Sequence, residues 1–176
     1  KSGVMHGLTR VRSFAQDDAH IFCMAEQIEE EFGRFLEMTQ EVYRMLGLGQ
    51  SEIAIATCPP NYLGTPEMKE KAESALKNGL TKAGLPFTIN EGQGAHYAPK
   101  VEFNFRDVLD RTWTLGTIQV DFVLPARFEL GYMAADGKLA VPVMLHRAIL
   151  GSLERFVGIY IEHTGGRFPL WIAPEQ

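Results

Sequence analysis

The feature that most constrains this chain is a long one-sided apolar pattern across residues 25–46. Ile28, Phe32, Phe35, Leu36, Val42, Tyr43 and Leu46 recur at three- and four-residue spacing with glutamates between them, and Gly47 follows. That spacing predicts an amphipathic helix ended by glycine. The segments around it have a different period. Residues 8–14 alternate apolar and basic, Gln16-Asp17-Asp18 forms a polar connection, and residues 19–24 make a second extended run, which reads as strand, loop, strand. Residues 53–56 read as a short buried strand before Pro59-Pro60 forces a loop. Thr65-Pro66 opens a second helix that runs to about Ala83, with Thr65 as N-cap and Gly84 as terminator. Strand-like runs follow at 87–90, 101–105, 112–115 and 118–124. Asp136-Gly137 marks a hairpin between 128–133 and 138–143, and 150–162 is a third helix. This order predicts an α+β fold with a mainly antiparallel sheet flanked by helices.

Composition narrows the class. With 176 residues, 45% of them apolar, the chain can bury roughly 70% of its unfolded surface as one soluble globular domain. Two cysteines, Cys23 and Cys58, exclude a disulfide-built secreted scaffold. Apolar runs such as 156–161 are too short to cross a bilayer and no charged-then-apolar leader is present, so no membrane role and an intracellular compartment are expected. The balance of 17 Lys+Arg against 22 Asp+Glu weighs against a dedicated nucleic-acid module. The first residue is Lys1 rather than Met, the expectation being a trimmed chain or a piece of a longer protein.

Common nucleotide signatures are absent. No G-x-x-x-x-G-K-[ST] occurs, and Gly92-x-Gly94 lacks the third glycine and the strand-to-helix setting of a dinucleotide fingerprint. A phosphate site can still be built from arginines beside an aromatic face, and Arg10, Arg12, Phe14 and Arg155 are the candidates, against the plain reading of solvated surface arginines. His20-x-x-Cys23 is tempting as half a zinc site, but on a strand the two side chains point to opposite faces. The same rule puts Gln16, Asp18 and His20 on one face if the extended run begins that early. His163 suits the last turn of a helix, where a cation complements the dipole, and His146 is ambiguous. In residues 117–121 the odd positions are polar and the even ones apolar, either an exposed sheet face or a floor lined for ligand. Ser152 lacks a G-x-S-x-G setting and reads as a small packing residue.

Four segments carry a resemblance. His6-Gly7-Leu8-Thr9-Arg10-Val11-Arg12-Ser13-Phe14 with Gln16-Asp17-Asp18-Ala19-His20-Ile21-Phe22-Cys23 looks like motif 2 of the class II aminoacyl-tRNA synthetases, in its threonyl family. Glu91-Gly92-Gln93-Gly94-Ala95-His96-Tyr97-Ala98-Pro99-Lys100 resembles that family's E-G-x-G-A-x-Y-x-P-K loop. Gly116-Thr117-Ile118-Gln119-Val120-Asp121-Phe122 resembles its G-T-x-Q-x-D-F strand, and residues 142–156, from Pro142 to Phe156, resemble its motif 3.

The resemblance implies a catalytic core, spanning from within motif 2 through motif 3, that activates L-threonine with ATP and transfers it to tRNA(Thr). Arg10 would hold the γ-phosphate, Phe14 would stack on adenine and Arg155 would cover its other side, with Mg²⁺ accompanying ATP. Gln16, Tyr97 and Gln119 would surround the amino acid and adenylate, and Asp18 would take the substrate hydroxyl. His20 and His146 would ligate zinc, with a third ligand, a cysteine, upstream of Lys1. The family also implies a homodimer working in the cytoplasm or an organelle matrix. An anticodon-binding domain is expected after Gln176, and no editing segment lies in residues 1–176. The segments depart from the family pattern at Thr9, Ser13, His96 and Thr114, and at Cys58, where relatives show an arginine-containing run. Two rival readings are a paralogue activating an amino acid for a carrier other than tRNA, and a non-catalytic ligand-binding regulatory module.

Overall fold

The computed structural model describes residues 3–175; Lys1, Ser2 and Gln176, at the ends of the expected domain 1–176, lie outside them. Strand β1 (Ala19–Cys23) leads through a 3₁₀ turn into helix α1 (Ile28–Met45), followed by β2 (Glu52–Ala56) and α2 (Pro66–Lys82). Three strands then follow: β3 (Thr88–Asn90), β4 (Lys100–Arg106) and β5 (Thr112–Asp121). A short helix α3 (Leu124–Arg127), a small hairpin of β6 (Tyr132–Met133) and β7 (Leu139–Ala140), strand β8 (Val143–Ala148), helix α4 (Leu153–Thr164) and a 3₁₀ turn (Leu170–Ile172) complete the order.

Six strands form one sheet in the order β1-β8-β5-β4-β2-β3, antiparallel throughout except for the β2–β3 pair. The mixed, mainly antiparallel sheet with helices is the expected α+β class. The helices close one face. Phe32, Phe35 and Tyr43 of α1, Leu76 and Leu80 of α2, and Ile159 and Tyr160 of α4 join Ile55, Val101, Phe103, Ile118, Val120 and Leu145 of the strands in one core. Leu76, Leu80, Ile118 and Leu145 have no exposed surface, and each such side chain contributes about 1.5–3 kcal/mol. The opposite face carries the polar residues. Among the described residues no helix is long and apolar enough to cross a membrane.

Several elements differ from the sequence expectation. Residues 8–14 are not a strand. They form a turn and bends, touching ladder geometry only at the isolated bridge His6↔Arg10, because among the described residues no strand lies alongside to take up their N–H and C=O groups. The two strands read at 112–115 and 118–124 are one, β5, which stops at Asp121. Gly116 does not break it; a Cβ there would meet the Ile149 carbonyl oxygen at 2.8 Å, so glycine allows the chain after β8 to approach. The hairpin around Asp136-Gly137 is real but short, and residue 128 caps α3 instead of opening a strand. Strand β8, which sits between β1 and β5, overlaps the expected run 138–143 only at Val143 and continues to Ala148.

Thr65 caps α2 as expected, whereas α4 runs three residues later at its start and two later at its end than the expected 150–162, and Ser152, read as a packing residue, is its N-cap. Thr65 Oγ1 accepts from the Met68 N–H at 3.3 Å, Ser152 Oγ accepts from the Arg155 N–H at 3.3 Å, and Gly165 closes α4 in the left-handed region at φ 59°.

Candidate active site

The polar sheet face is organised by register. In an antiparallel sheet, residues directly opposite one another present side chains on the same face. Lys100 of β4 pairs with Gln119 of β5, Gln119 with His146 of β8, and His146 with His20 of β1, which gives one row of four polar side chains across four strands. Glu102 lies opposite Thr117 one step along, and its carboxylate pairs with Lys100 at 2.7 Å. The apolar residues between these positions, Val101, Ile118, Leu145 and Ile21, belong to the helix-covered core.

His20 and His146 meet edge to face, with ring centroids 4.7 Å apart. Tyr97 comes over the row from the loop before β4, its ring 5.3 Å from that of His146. Burial raises the Tyr97 phenol above its usual value, the Asp121 and Asp18 carboxylates raise it further, and the Gln119 side chain pulls the other way. Exposure alternates from Gln16 to Phe22 with the even residues outward. Gln16, Asp18 and His20 therefore share a face as expected, although the ladder itself begins only at Ala19. Cys23 points into the core, so the His20-x-x-Cys23 pair cannot share an ion. His163 hydrogen-bonds the Gly47 carbonyl at 2.9 Å, at the turn after α1, away from this row.

Next to the row lies a cavity of about 850 Å³, lined among others by Arg10, Phe14, Gln16, Thr114, Thr117 and Arg155. Arg155 is half-buried; its Nε donates to the Thr9 carbonyl at 3.1 Å and a terminal nitrogen donates to the Thr114 carbonyl at 3.3 Å. Its guanidinium is destabilised by burial first and by the Arg10 charge second. Two arginines thus converge on one cavity, and among the described residues neither is paired with a carboxylate. Such a site favours an anion with several oxygens, since guanidinium forks bind phosphate through paired N–H donors. Arg12 does not line the cavity. Ser152 serves as the N-cap of α4.

Three anchoring carboxylates were missed as site residues. Asp121 is fully buried; its Oδ2 lies 2.9 Å from His146 Nε2, while Oδ1 accepts from the N–H groups of Val123 at 2.7 Å and Leu124 at 2.9 Å. It is the last polar residue of the alternating stripe in the sequence, and the chain turn at Val123 and Leu124 folds onto its carboxylate. Asp17, read as part of a polar connection, accepts from the N–H groups of Ile149, Leu150 and Gly151 at 2.8–3.2 Å. Gly151 itself sits at φ 68°, against the Leu115 carbonyl, where a side chain has no room. Asp107 binds the Trp113 indole N–H at 2.9 Å and Arg111 Nε at 2.6 Å.

The residues at the row fit a metal ion in part. Two imidazoles stand side by side, and a buried carboxylate engages one nitrogen of His146, the orientation that metal-bound histidines commonly have. Among the described residues no group of three His, Cys, Asp or Glu converges, so the pair would need a donor from elsewhere.

Comparison with known proteins identifies the family of the chain. Residues 1–164 match the model of the tRNA synthetase class II core domain (G, H, P, S and T). The chain is 53% identical over 175 residues to a threonine–tRNA ligase of Methylococcus capsulatus, covering 99% of this chain and 27% of that protein. It is 51% identical over 175 residues to the corresponding protein of Finegoldia magna, again over 99% of this chain and 27% of the relative. The chain therefore spans about a quarter of the length of these relatives. A crystal structure titled as the RNA binding domain of threonyl-tRNA synthetase from Cryptosporidium parvum superposes with a TM-score of 0.92 at 47% identity, covering 97% of this chain and 43% of that one. Apo histidyl-tRNA synthetase of S. aureus shares the fold, with a TM-score of 0.60 at 16% identity over 89% of this chain and 42% of that one. The chain belongs to the tRNA synthetase class II core domain family (G, H, P, S and T), and its similarity within that family is to threonine–tRNA ligases.

Proposed function

We propose that this chain is the catalytic-core part of a threonine–tRNA ligase, using ATP with Mg²⁺ to activate L-threonine and passing the product to tRNA(Thr). The observation that carries this reading is the contiguity of the Lys100–Gln119–His146–His20 row with the cavity that Arg10 and Arg155 share. An amino acid on the row would have its carboxylate directed toward a nucleotide triphosphate in the cavity. In the activation step a carboxylate oxygen attacks the α-phosphorus and pyrophosphate leaves. In the second step a terminal ribose hydroxyl of tRNA attacks the acyl carbon and AMP leaves.

Each residue has a role that its setting supports. Arg10 holds the γ-phosphate and, with Arg155, offsets charge as pyrophosphate departs, the electrostatic contribution that preorganised cations supply best in a partly dry site. Phe14 and Arg155 take the two sides of adenine. Gln16, Tyr97 and Gln119 orient the amino acid and the adenylate, and Asp18 accepts the substrate hydroxyl. His20 and His146 would hold zinc together with a donor from outside residues 1–176. A bound zinc ion supplies Lewis-acid affinity for the amine and hydroxyl of threonine. The physical gain is selectivity. An apolar pocket distinguishes a hydroxyl from a methyl poorly, whereas a site that must bind the hydroxyl leaves its polar groups unpaired when valine enters.

The test is threonine-dependent ATP–pyrophosphate exchange in the complete protein, followed by charging of tRNA(Thr). His146→Ala and Arg155→Ala should each lower exchange by about a hundredfold or more, the usual cost of removing one such group. Exchange at full rate in either variant overturns the assigned roles. Exchange without charging points to a different acceptor, and binding of ATP and threonine without exchange points to a non-catalytic module.

A further inference from the structure

We propose that Trp113 is a positioning residue for Arg155, held in place by the buried carboxylate of Asp107. The inference rests on the reading of the arginine cavity given above and adds what sets its geometry. The Arg155 guanidinium carbon lies 5.2 Å from the Trp113 ring centroid, within cation–π range, and that of Arg111 lies 5.7 Å away. The ring is fixed through its N–H. Trp113 Nε1 donates to Asp107 Oδ2 at 2.9 Å, and the same oxygen takes Arg111 Nε at 2.6 Å. The other oxygen, Oδ1, accepts from the Leu109 and Arg111 N–H groups, both at 2.9 Å, and the Asp107 side chain is 1% exposed. Four hydrogen bonds, two to each oxygen, therefore hold this carboxylate in place.

The choice of an aromatic partner has a physical reason. A long arginine side chain loses much of its affinity for a ligand to the entropy of being ordered on binding. A carboxylate partner would order it but neutralise the charge that the cavity needs. An indole face orders the guanidinium plane and leaves its charge available. Trp113 also couples two parts of the site. Arg155 Nε holds the Thr9 carbonyl at 3.1 Å, and a terminal nitrogen of Arg111 lies 3.0 Å from His6 Nε2. Both arginines on the ring thus grip the turn that carries Arg10.

The experiment compares the complete protein with its Trp113→Leu and Trp113→Phe forms, measuring exchange kinetics, ATP binding by calorimetry and thermal melting. Trp113→Leu should raise KM for ATP about tenfold while KM for threonine stays within about twofold, and Trp113→Phe, which keeps a ring face but not the indole N–H, should fall between. A role in folding alone would lower the active fraction without separating the two KM values. Unchanged KM for ATP in folded Trp113→Phe and Trp113→Leu overturns the proposal, as does an equal rise in both KM values. If Trp113→Leu does not fold, Trp113→Phe decides: a rise confined to KM for ATP supports the proposal and no rise overturns it. Absence of exchange in the unaltered protein defeats the functional reading instead. ATP affinity by calorimetry then decides this one: weaker binding in the variants supports it, and equal or absent binding overturns it.

Discussion

Replacing Asp17 with alanine should cost this chain about 3 kcal/mol. The carboxylate of Asp17 accepts from three consecutive amides, Ile149 at 2.8 Å, Leu150 at 3.1 Å and Gly151 at 2.8 Å, across a sequence gap of more than 130 residues. A hydrogen bond to a charged acceptor contributes about 1.5–3 kcal/mol, and a donor left unsatisfied in the interior costs about 1–3 kcal/mol. Asp17 is only half-buried, so water reaches part of the gap left by alanine and the low end applies, about 1 kcal/mol for each of three donors. In a domain of this size that lowers Tm by about 6–12 °C. Asp17→Asn keeps one carbonyl oxygen and should lose about half as much. Urea unfolding measures the total, and amide hydrogen exchange by NMR locates it: the Ile149 and Gly151 protons should exchange faster in Asp17→Ala while those of α2 change only as global stability does. A loss under about 1 kcal/mol with unchanged protection at Ile149 and Gly151 would show that the cradle is not a stabilising element and refute the reasoning.

Two further outcomes follow from buried titratable groups. Burial works to raise the Asp107 carboxyl, but hydrogen bonds from the Trp113 indole, Arg111 and the Leu109 N–H outweigh it and hold the group well below the usual carboxylate range. The unfolded chain therefore takes up a proton here first, and the stability contributed by Asp107 is complete above about pH 4 and declines as pH falls toward the folded value. Urea midpoints between pH 6 and pH 2 should fall less steeply in Asp107→Asn than in the unaltered chain, and parallel profiles would contradict this. Burial, with smaller help from Glu31 and Glu73, pushes the thiols of Cys23 and Cys58 up to about 11 and about 12. Since the thiolate is the reactive form, a thiol reagent at pH 8 should modify neither until urea unfolds the chain; labelling of either in the native state within minutes would overturn that view.

Much of the architecture was legible because its signals are local. The 3.6-residue period of α1, the Thr65-Pro66 start of α2 and the Asp136-Gly137 hairpin all depend on a few neighbouring residues. Residues 8–14 misled because alternation shows only that a segment could be extended, whereas a strand also needs a neighbour to pair with. Strand β8 was hidden by the opposite effect. Val143, Met144 and Leu145 are buried on both faces, so no alternation marks them, and His146 and Arg147 then read as the start of something polar. The candidate row was visible as motif residues scattered over more than 120 positions, but its straightness is a property of register between strands. The contacts of Asp121 and Trp113 are not legible for a related reason: their partners, His146 and Arg155, lie 25 and 42 positions away, and nothing near them in sequence announces the contact.

The row has a consequence for how such a site can change over time. Because side chains alternate faces along a strand, inserting or deleting one residue within β8 would send His146 into the helix-covered core and bring Leu145 or Arg147 onto the floor in its place. Point substitutions on the row change one position at a time, as at Thr114 beside it, but a one-residue length change in β1, β5 or β8 exchanges every side chain that the strand presents beyond it. The tolerance for length lies instead in the β6–β7 hairpin, where Met133 and Leu139 are 69% and 76% exposed and the chain between β5 and β8 can grow or shrink without moving the row. The polar face is thus a fixed lattice of positions, open to substitution at its nodes and to length change in its outer loops but not within its strands.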